Sequence, residues 1–106
     1  MRFRRRRGKR GRFPKPIILG RYPILERFIP VPQRNAEPIY IEPAELEALR
    51  LVDLEELTQE DAGRKMGVSR GTVWRLLHSG RSKITKALTE ARPIFVSTSN
   101  TEKKEE

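Results

Sequence analysis

Basic and hydroxyl side chains recur at helical spacing in the second half of this 106-residue chain. On an α-helix that begins after Ser69, they lie on or directly beside the face opposite the apolar positions. Arginine, lysine and hydroxyl groups donate hydrogen bonds to phosphate oxygens, and arginine also binds guanine through two parallel hydrogen bonds. The pattern therefore indicates a surface for nucleic acid, made of Ser69, Arg70, Thr72, Arg75, Ser79, Ser82, Lys83 and Lys86.

The position of each residue along this helix suggests its role. Ser69 and Thr72 lie at the first turn, where a helix N-terminus approaches the nucleic-acid backbone, and we expect them to contact phosphate. Arg75 lies one turn further on at the centre of the exposed face, so it is the leading candidate for a guanine contact, with Arg70 second. Gly71 offers no side chain at a position that often reads a base, which predicts modest sequence specificity.

A second group of basic residues lies at the N-terminus. Residues 2–12 contain eight Arg or Lys together with two Gly and one Phe. This composition repels itself and has little apolar surface to bury, so residues 1–13 are predicted to form a disordered arm. We expect the arm to bind nucleic acid through Arg2, Arg4, Arg5, Arg6, Arg7, Lys9, Arg10 and Arg12.

The overall composition favours a polyanionic partner and argues against several other classes of protein. Lys and Arg number 23 against 14 Asp and Glu, which gives a net charge of +9 at pH 7. With no cysteine and one histidine, neither a metal nor a cofactor is expected. No apolar run is long enough to span a membrane and no secretory signal is visible, so we expect no membrane partner and a cytoplasmic location. No catalytic constellation or small-molecule substrate site is evident, so an enzyme is not expected.

Residues 14–38 form a proline-rich strap. Six prolines fall between Pro14 and Pro38, a density that is incompatible with a helix. A solvated linker would not also carry apolar residues such as Ile18 and Phe28. We therefore expect an extended strap that lies in a groove of its own domain or of a partner.

Residues 39–96 carry the periodicity of a helical domain. Ile39–Ile41 is strand-like, and Pro43 precedes a run of good helix formers that extends to Leu57. Arg50 and Asp53 fall three residues apart within its apolar stripe and are interpreted as a structural ion pair. The stripe consists of Leu46, Leu49, Val52, Leu54 and Leu57, with Glu45, Glu47, Glu55 and Glu56 at its margins and back.

Two helix caps follow in quick succession. Thr58 and Asp61 match the signature of a capped helix start, which predicts a short helix from Gln59 to about Met66 that Gly67 ends. Ser69 then caps a second helix, whose apolar spacing continues through Gly80 for about five turns, with a break at Gly80 as the alternative. Two helices joined by so short a turn predict a helix-turn-helix corner.

The packing of this corner can also be predicted. Its internal core should consist of Ala62, Met66, Val68, Val73 and Leu76. Gly63 is predicted to lie where the two helices cross, so leucine there should force them apart, whereas alanine should be tolerated. Trp74 lies at the margin of the apolar stripe and is expected to pack on the neighbouring helix rather than to stack on a base.

These elements predict a mainly α protein. Residues 39–96 should form a small helix-turn-helix domain of three to four helices, in which residues 39–41 and 94–96 pair as a short two-stranded sheet. An extended basic N-terminal arm precedes this domain, and residues 97–106 form a polar tail.

The run from Leu46 to Glu55, followed by the corner from Gln59 to Leu77, resembles a small prokaryotic family catalogued as domain of unknown function 134. The resemblance covers about residues 27–96, including Phe28-Ile29-Pro30 and Ile94-Phe95-Val96. It implies DNA binding through a helix-turn-helix similar to region 4 of bacterial sigma factors, with one continuous recognition helix. Gly71, Val73 and Trp74 depart from the family's usual polar residue, aromatic residue and glycine.

The sequence pattern is compatible with two functions. The first is a DNA-binding regulator or chromatin-associated protein, in which the second helix docks on the duplex and the arm adds salt-sensitive affinity. The second is a ribosome- or RNA-associated structural protein, because arginine-rich segments become ordered when they bind folded RNA. The long helix carries no acidic residue before Glu90, whereas a helix that needed only to be soluble would carry both charge signs. The pattern does not indicate an oligomeric state.

Overall fold

The computed structural model of the protein describes residues 16–20 and 26–97. This part of the chain is mainly helical, with a small sheet of three short strands. The helices are α1 (Pro43–Leu49), which continues into a π-helical turn (Arg50–Leu54), α2 (Gln59–Met66) and α3 (Arg70–Glu90). The strands are β1 (Arg27–Phe28), β2 (Ile39–Ile41) and β3 (Ile94–Val96). None of these helices combines the length and apolar character needed to cross a bilayer.

The sheet joins the two ends of the helical region. Its central strand is β3, which pairs in parallel with β2 so that Ile39 lies opposite Ile94. The predicted pairing of residues 39–41 with 94–96 is confirmed. On the other side, β1 pairs antiparallel with β3, with Arg27 opposite Phe95. This third strand comes from the strap. The proline density predicted an extended chain there, but it did not predict that the chain would pair with a strand.

The first helix is shorter than predicted. It begins at Pro43 as expected, and Glu45 accepts a hydrogen bond from the backbone amide of Glu42. After Leu49 the hydrogen bonds lengthen to the π pattern, with the amide of Glu55 donating to the carbonyl of Arg50 at 2.9 Å. Glu56 then adopts a positive φ of 63°, which ends the helix before Leu57. The prediction of one helix to Leu57 is therefore wrong.

The π-helical turn changes which side chains face the core. Because it adds residues to each turn, it rotates Leu54 away from the apolar stripe, and that side chain is 73% exposed. The predicted ion pair between Arg50 and Asp53 is also wrong. Arg50 pairs with Glu47 and Glu55, while Asp53 pairs with Arg81 on α3 at 2.7 Å.

The corner between α2 and α3 has the predicted caps. Thr58 and Ser69 each accept a hydrogen bond from the amide three residues further on, at 3.0 and 3.1 Å. Gly67 adopts the left-handed conformation, with φ of 72°, and ends α2. The helix α3 runs through Gly80 without a break. It ends at Ala91, which adopts the left-handed conformation.

Gly63 is packed more tightly than the sequence indicates. A Cβ atom at this position would lie 2.7 Å from the carbonyl oxygen of Val68, which is backbone and cannot move aside cheaply. The expectation that alanine is tolerated there is therefore wrong. The closeness follows from the turn itself, because the amide of Val68 also donates to the carbonyl of Gly63 at 2.9 Å.

The core lies between the three helices and the inner face of the sheet. Ala62, Met66 and Val73 are fully buried, whereas Val68 and Leu76 pack against the core from partly exposed positions. Leu88 continues the apolar spacing of α3 in the sequence but is 75% exposed. The complete buried cluster is Ile41, Ala48, Leu49, Leu51, Ala62, Met66, Val73, Leu77 and Val96.

Residues 16–20 of the strap lie on this domain. The amide of Ile18 donates to the carbonyl of Met66 at 3.0 Å, and the amide of Gly20 donates to the carboxylate of Glu47 at 2.8 Å. Glu47 is buried, and so is Glu45, although the spacing placed both at the exposed margins of the helix. The sequence was compatible with a strap that lies on its own domain or on a partner. The described strap residues lie on their own domain.

Candidate nucleic-acid interface

The first turn of α3 presents a chain of polar groups that orients Arg75. The Ser69 hydroxyl caps the helix by accepting from the Thr72 amide, and it also lies 3.0 Å from the Thr72 hydroxyl. That hydroxyl in turn accepts a hydrogen bond from Nη2 of Arg75 at 3.2 Å. Ser69 and Arg75 are exposed and Thr72 is half-buried. The remaining donors of the Arg75 guanidinium are therefore held near the start of the helix, where they can reach a ligand.

Arg75 belongs to a continuous exposed surface along α3, which we call the outer face. Its members are Gly71, Arg75, His78, Ser82 and Lys86, all exposed to solvent. Arg70 is also exposed and lies beside this face in the first turn. Six of the predicted site residues on α3 and its cap are therefore accessible to a ligand. Thr72 is partly exposed, and the fully exposed ones are Ser69, Arg70, Arg75, Ser82 and Lys86.

Ser79 and Lys83 lie on a different side of the helix, towards α1. Both contact the carboxylate of Glu45, with the Ser79 hydroxyl donating at 2.5 Å and the Lys83 ammonium lying at 2.9 Å. Glu45 retains only 5% of its accessible surface. These two residues therefore hold a buried charge between two helices, and they remain only partly exposed beside the outer face.

The Glu45 carboxylate is stabilised in its charged form. Burial alone would raise the pKa of this group, because a low-dielectric environment disfavours the charge. Hydrogen bonds from the Glu42 amide, Ser79 and Lys83 outweigh that effect and hold the pKa below its ordinary value. The ammonium of Lys83 is thus committed to a structural contact.

Two acidic groups border the C-terminal half of the outer face. A hydrogen bond from Arg81 lowers the pKa of Asp53, and one from Arg92 lowers the pKa of Glu90. Glu90 also lies 3.8 Å from the ammonium of Lys86 in an exposed pair. Arg70 and Arg75 lie on the other half of the face, away from these two carboxylates.

The sequence analysis omitted Arg81, which lies between His78 and Lys86 on the exposed side of α3. Its two hydrogen bonds to Asp53 measure 3.1 and 2.7 Å. The basic residue itself was visible in the sequence. Its partner was not, because Asp53 was assigned to Arg50 on the assumption of a regular α-helix.

Trp74 lies next to the start of α2 but is only about half-buried there. Its side chain is 53% exposed, and the indole stacks on the imidazole of His78 with 5.1 Å between ring centroids and 6° between ring planes. The indole also lines a shallow depression of about 350 Å³ together with Arg70, Thr58, Gln59 and Glu60. The edge of the outer face next to α2 is therefore aromatic.

The predicted arm residues, from Arg2 to Arg12, lie outside the described residues.

The sequence of the chain is similar to that of known proteins. A family profile described as "Protein of unknown function DUF134" matches residues 2–104. A UPF0251 protein of Archaeoglobus fulgidus is 47% identical over 95 residues, which cover 89% of this chain and 90% of that protein. UPF0251 proteins of Pyrococcus furiosus and Thermococcus kodakarensis are 52% and 46% identical, covering 71% and 74% of this chain and 66% and 73% of theirs. No solved structure matches. The chain belongs to the DUF134 family.

Proposed function

We propose that this member of the DUF134 family is a non-enzymatic DNA-binding protein that docks the outer face of α3 in the major groove. In this proposal α2 and α3 act as a helix-turn-helix, and the protein works in the cytoplasm as a transcription regulator or a chromatin-associated protein. Arg75 contacts a base edge, whereas Ser69 and Lys86 contact phosphate.

The observation that carries this proposal is the hydrogen-bonded series from Ser69 through Thr72 to Arg75. It holds a guanidinium at the exposed start of a helix, which is where a recognition helix meets base edges. The free amides and the dipole at the same helix end favour a nearby phosphate.

The charge distribution on α3 supports the same proposal. The basic residues of the outer face are separate from Lys83, whose charge is neutralised by Glu45. Arg70 and Arg75 lie on the half of the helix that is remote from Glu90, so a polyanion meets net positive charge there. The predicted binding residues are thus Ser69, Arg70, Thr72, Arg75, Ser82 and Lys86.

Replacing Arg75 tests this function. Preferred duplexes are first selected from a random pool, and affinities for a preferred and a scrambled duplex are then measured at one salt concentration. Arg75→Ala should cost about 1–3 kcal/mol on the preferred duplex and much less on the scrambled one, because the lost contact is to a base. Arg34→Ala is the matched control, since it removes the same charge from an exposed position on the strap.

The alternative is binding to structured RNA. In that case the basic surface contacts backbone without choice of sequence, and Arg75→Ala weakens binding to every duplex equally. Equal losses on both duplexes, combined with tighter binding to a structured RNA competitor, would replace the DNA-binding proposal with an RNA-associated or ribosome-associated protein.

The arm provides a separate test of the electrostatic part of the proposal. Deleting residues 1–13 removes eight Arg or Lys. Affinity should fall and the slope of log K against log salt should shrink by several units, because each neutralised phosphate contributes about 0.9. Thermal stability should change little. An unchanged salt slope would exclude the arm from the interface.

A further inference from the structure

Trp74 is the one Phe, Tyr or Trp residue within α3, and it is 53% exposed. About half of the residue's surface remains accessible to solvent, although other residues of the same helix are buried in the core. The residue precedes Arg75 and lies four positions after Arg70, so both arginines flank it. An apolar ring is therefore placed among the groups that are proposed to contact DNA.

The indole is held in a defined orientation. Its stack on His78 is nearly parallel, and its other neighbours form the depression between α3 and the start of α2. Stacking of this kind restricts the rotation of the side chain, so the ring forms a pre-oriented apolar surface. Such a surface needs an apolar partner to lose its contact with water.

In the major groove, the apolar group that distinguishes one base from the others is the C5-methyl of thymine. The bases of a duplex are stacked on each other and leave no open ring face for an indole. We propose that Trp74 contacts a thymine methyl group next to the base that Arg75 contacts, and so determines part of the sequence preference. His78 acts as a positioning residue, because it touches the indole rather than the base. This inference rests on the proposed DNA-binding function.

An apolar contact to thymine would supply sequence specificity that the polar contacts do not provide. Gly71 has no side chain to read a base, so Arg75 alone would define only a short stretch of sequence. A methyl contact from Trp74, on the side of the outer face next to α2, adds a second determinant. We therefore expect the preferred duplex to contain a thymine close to the guanine that Arg75 binds.

Replacing thymine with deoxyuridine removes the methyl group and nothing else. Each thymine of a selected duplex is replaced in turn, and affinities are measured for the wild type and for Trp74→Ala. One replacement should weaken wild-type binding about fourfold, the effect of one buried methyl group, and should leave Trp74→Ala unaffected. Leu88→Ala is the matched control, because Leu88 is exposed on α3 away from the start of the helix and should retain the full methyl effect.

The role of His78 is tested with the same duplexes. His78→Ala should reduce the methyl effect, and His78→Phe should restore it because a ring remains available for stacking. The fluorescence of the single tryptophan should also change more on binding the thymine duplex than the deoxyuridine one.

Two results would overturn the inference while leaving DNA binding intact. One is a methyl effect of the same size in the wild type and Trp74→Ala at every thymine. The other is a loss of affinity in Trp74→Ala that appears on single-stranded DNA and not on the duplex, which would indicate stacking on an unpaired base. Failure to select any duplex would instead contradict the proposed function itself.

Discussion

Lys83 and Lys86 lie three residues apart on the same helix and have opposite environments. The Lys83 ammonium is 2.9 Å from the buried carboxylate of Glu45, and its side chain is 32% exposed. Lys86 is 54% exposed and has only a loose contact of 3.8 Å with an exposed glutamate. One lysine stabilises the packing of α1 on α3, and the other is available to a ligand.

The difference shows what decides the role of a basic residue on a helix. Both lysines fit the helical spacing of a binding face, and the spacing alone does not separate them. What separates them is a carboxylate 38 residues away in the sequence, on the helix that packs against one side of α3. A positive charge near a binding face therefore counts towards the site only when the packed structure leaves it without a buried partner.

The contrast between the two sides of α3 depends on how α2 crosses that helix. Gly63→Ala should destabilise the protein by about 1–3 kcal/mol, because its Cβ would overlap the Val68 carbonyl, and Gly63→Leu should prevent folding. Thermal unfolding followed by circular dichroism measures both. Gly71→Ala is the control, since open space surrounds that position and the variant should be as stable as the wild type or slightly more so. A Gly63→Ala protein that melts like the wild type would show that the crossing is looser than described.

Replacing each lysine with alanine should separate the two roles. Lys83→Ala should cost about 1–2 kcal/mol of stability, because it removes one of several partners from a buried carboxylate. Lys86→Ala should change stability by less than about 0.5 kcal/mol. On duplex DNA the order should reverse, with Lys86→Ala reducing the salt slope by about 0.9 and Lys83→Ala leaving it unchanged. If both variants lose stability and affinity alike, the two sides of α3 are not distinct.

Low pH should weaken the contacts that Glu45 makes between α1 and α3. The folded protein holds the pKa of Glu45 below its ordinary value, so the unfolded chain takes up the proton more readily as the pH falls. The contribution of Glu45 is present above its unfolded pKa and is lost as the pH falls through the folded pKa. The melting temperature of the wild type should therefore decline more steeply between about pH 5 and pH 3 than that of Glu45→Gln. Parallel declines would assign the acid sensitivity to other carboxylates, such as Asp53.

The smallest effect is expected at the exposed pair of Asp53 and Arg81. Because both side chains are about half exposed, Asp53→Asn should change stability by less than about 1 kcal/mol. It should also raise affinity for duplex DNA about two- to fivefold, since a carboxylate beside the outer face is removed and Arg81 is released. A lower affinity in this variant would mean that Asp53 positions Arg81 for binding.

Local signals predicted the elements that carry the proposed site. The caps at Thr58 and Ser69, the turn at Gly67 and the passage of α3 through Gly80 all depend on residues within four positions of each other. Such contacts follow from backbone geometry and leave a clear pattern in the sequence. The pairing of residues 39–41 with residues 94–96 was also predicted, because both segments are short apolar runs that flank the helices, but its parallel direction was not.

The features that were missed depend on contacts between distant parts of the chain. Helical spacing placed Glu45 at the exposed margin, but its partners Ser79 and Lys83 come from another helix. The π-helical turn changed the direction of the Asp53 and Leu54 side chains. No pattern of residues in the sequence predicted this turn. Trp74 was assigned to packing because large aromatic residues usually pack, whereas here α2 leaves the indole open.

NMR mapping of the surface that contacts a bound duplex tests whether α3 recognises DNA. Backbone amide and side-chain signals are recorded by NMR while a selected duplex is titrated into the full chain at physiological salt. The proposal predicts that, among residues 16–20 and 26–97, the largest shifts occur at Ser69 to Arg75, His78, Ser82 and Lys86, with little change at Ser79 and Lys83. Shifts centred instead on Arg27, Tyr40 and Phe95, the outward residues of the sheet, would contradict recognition by α3.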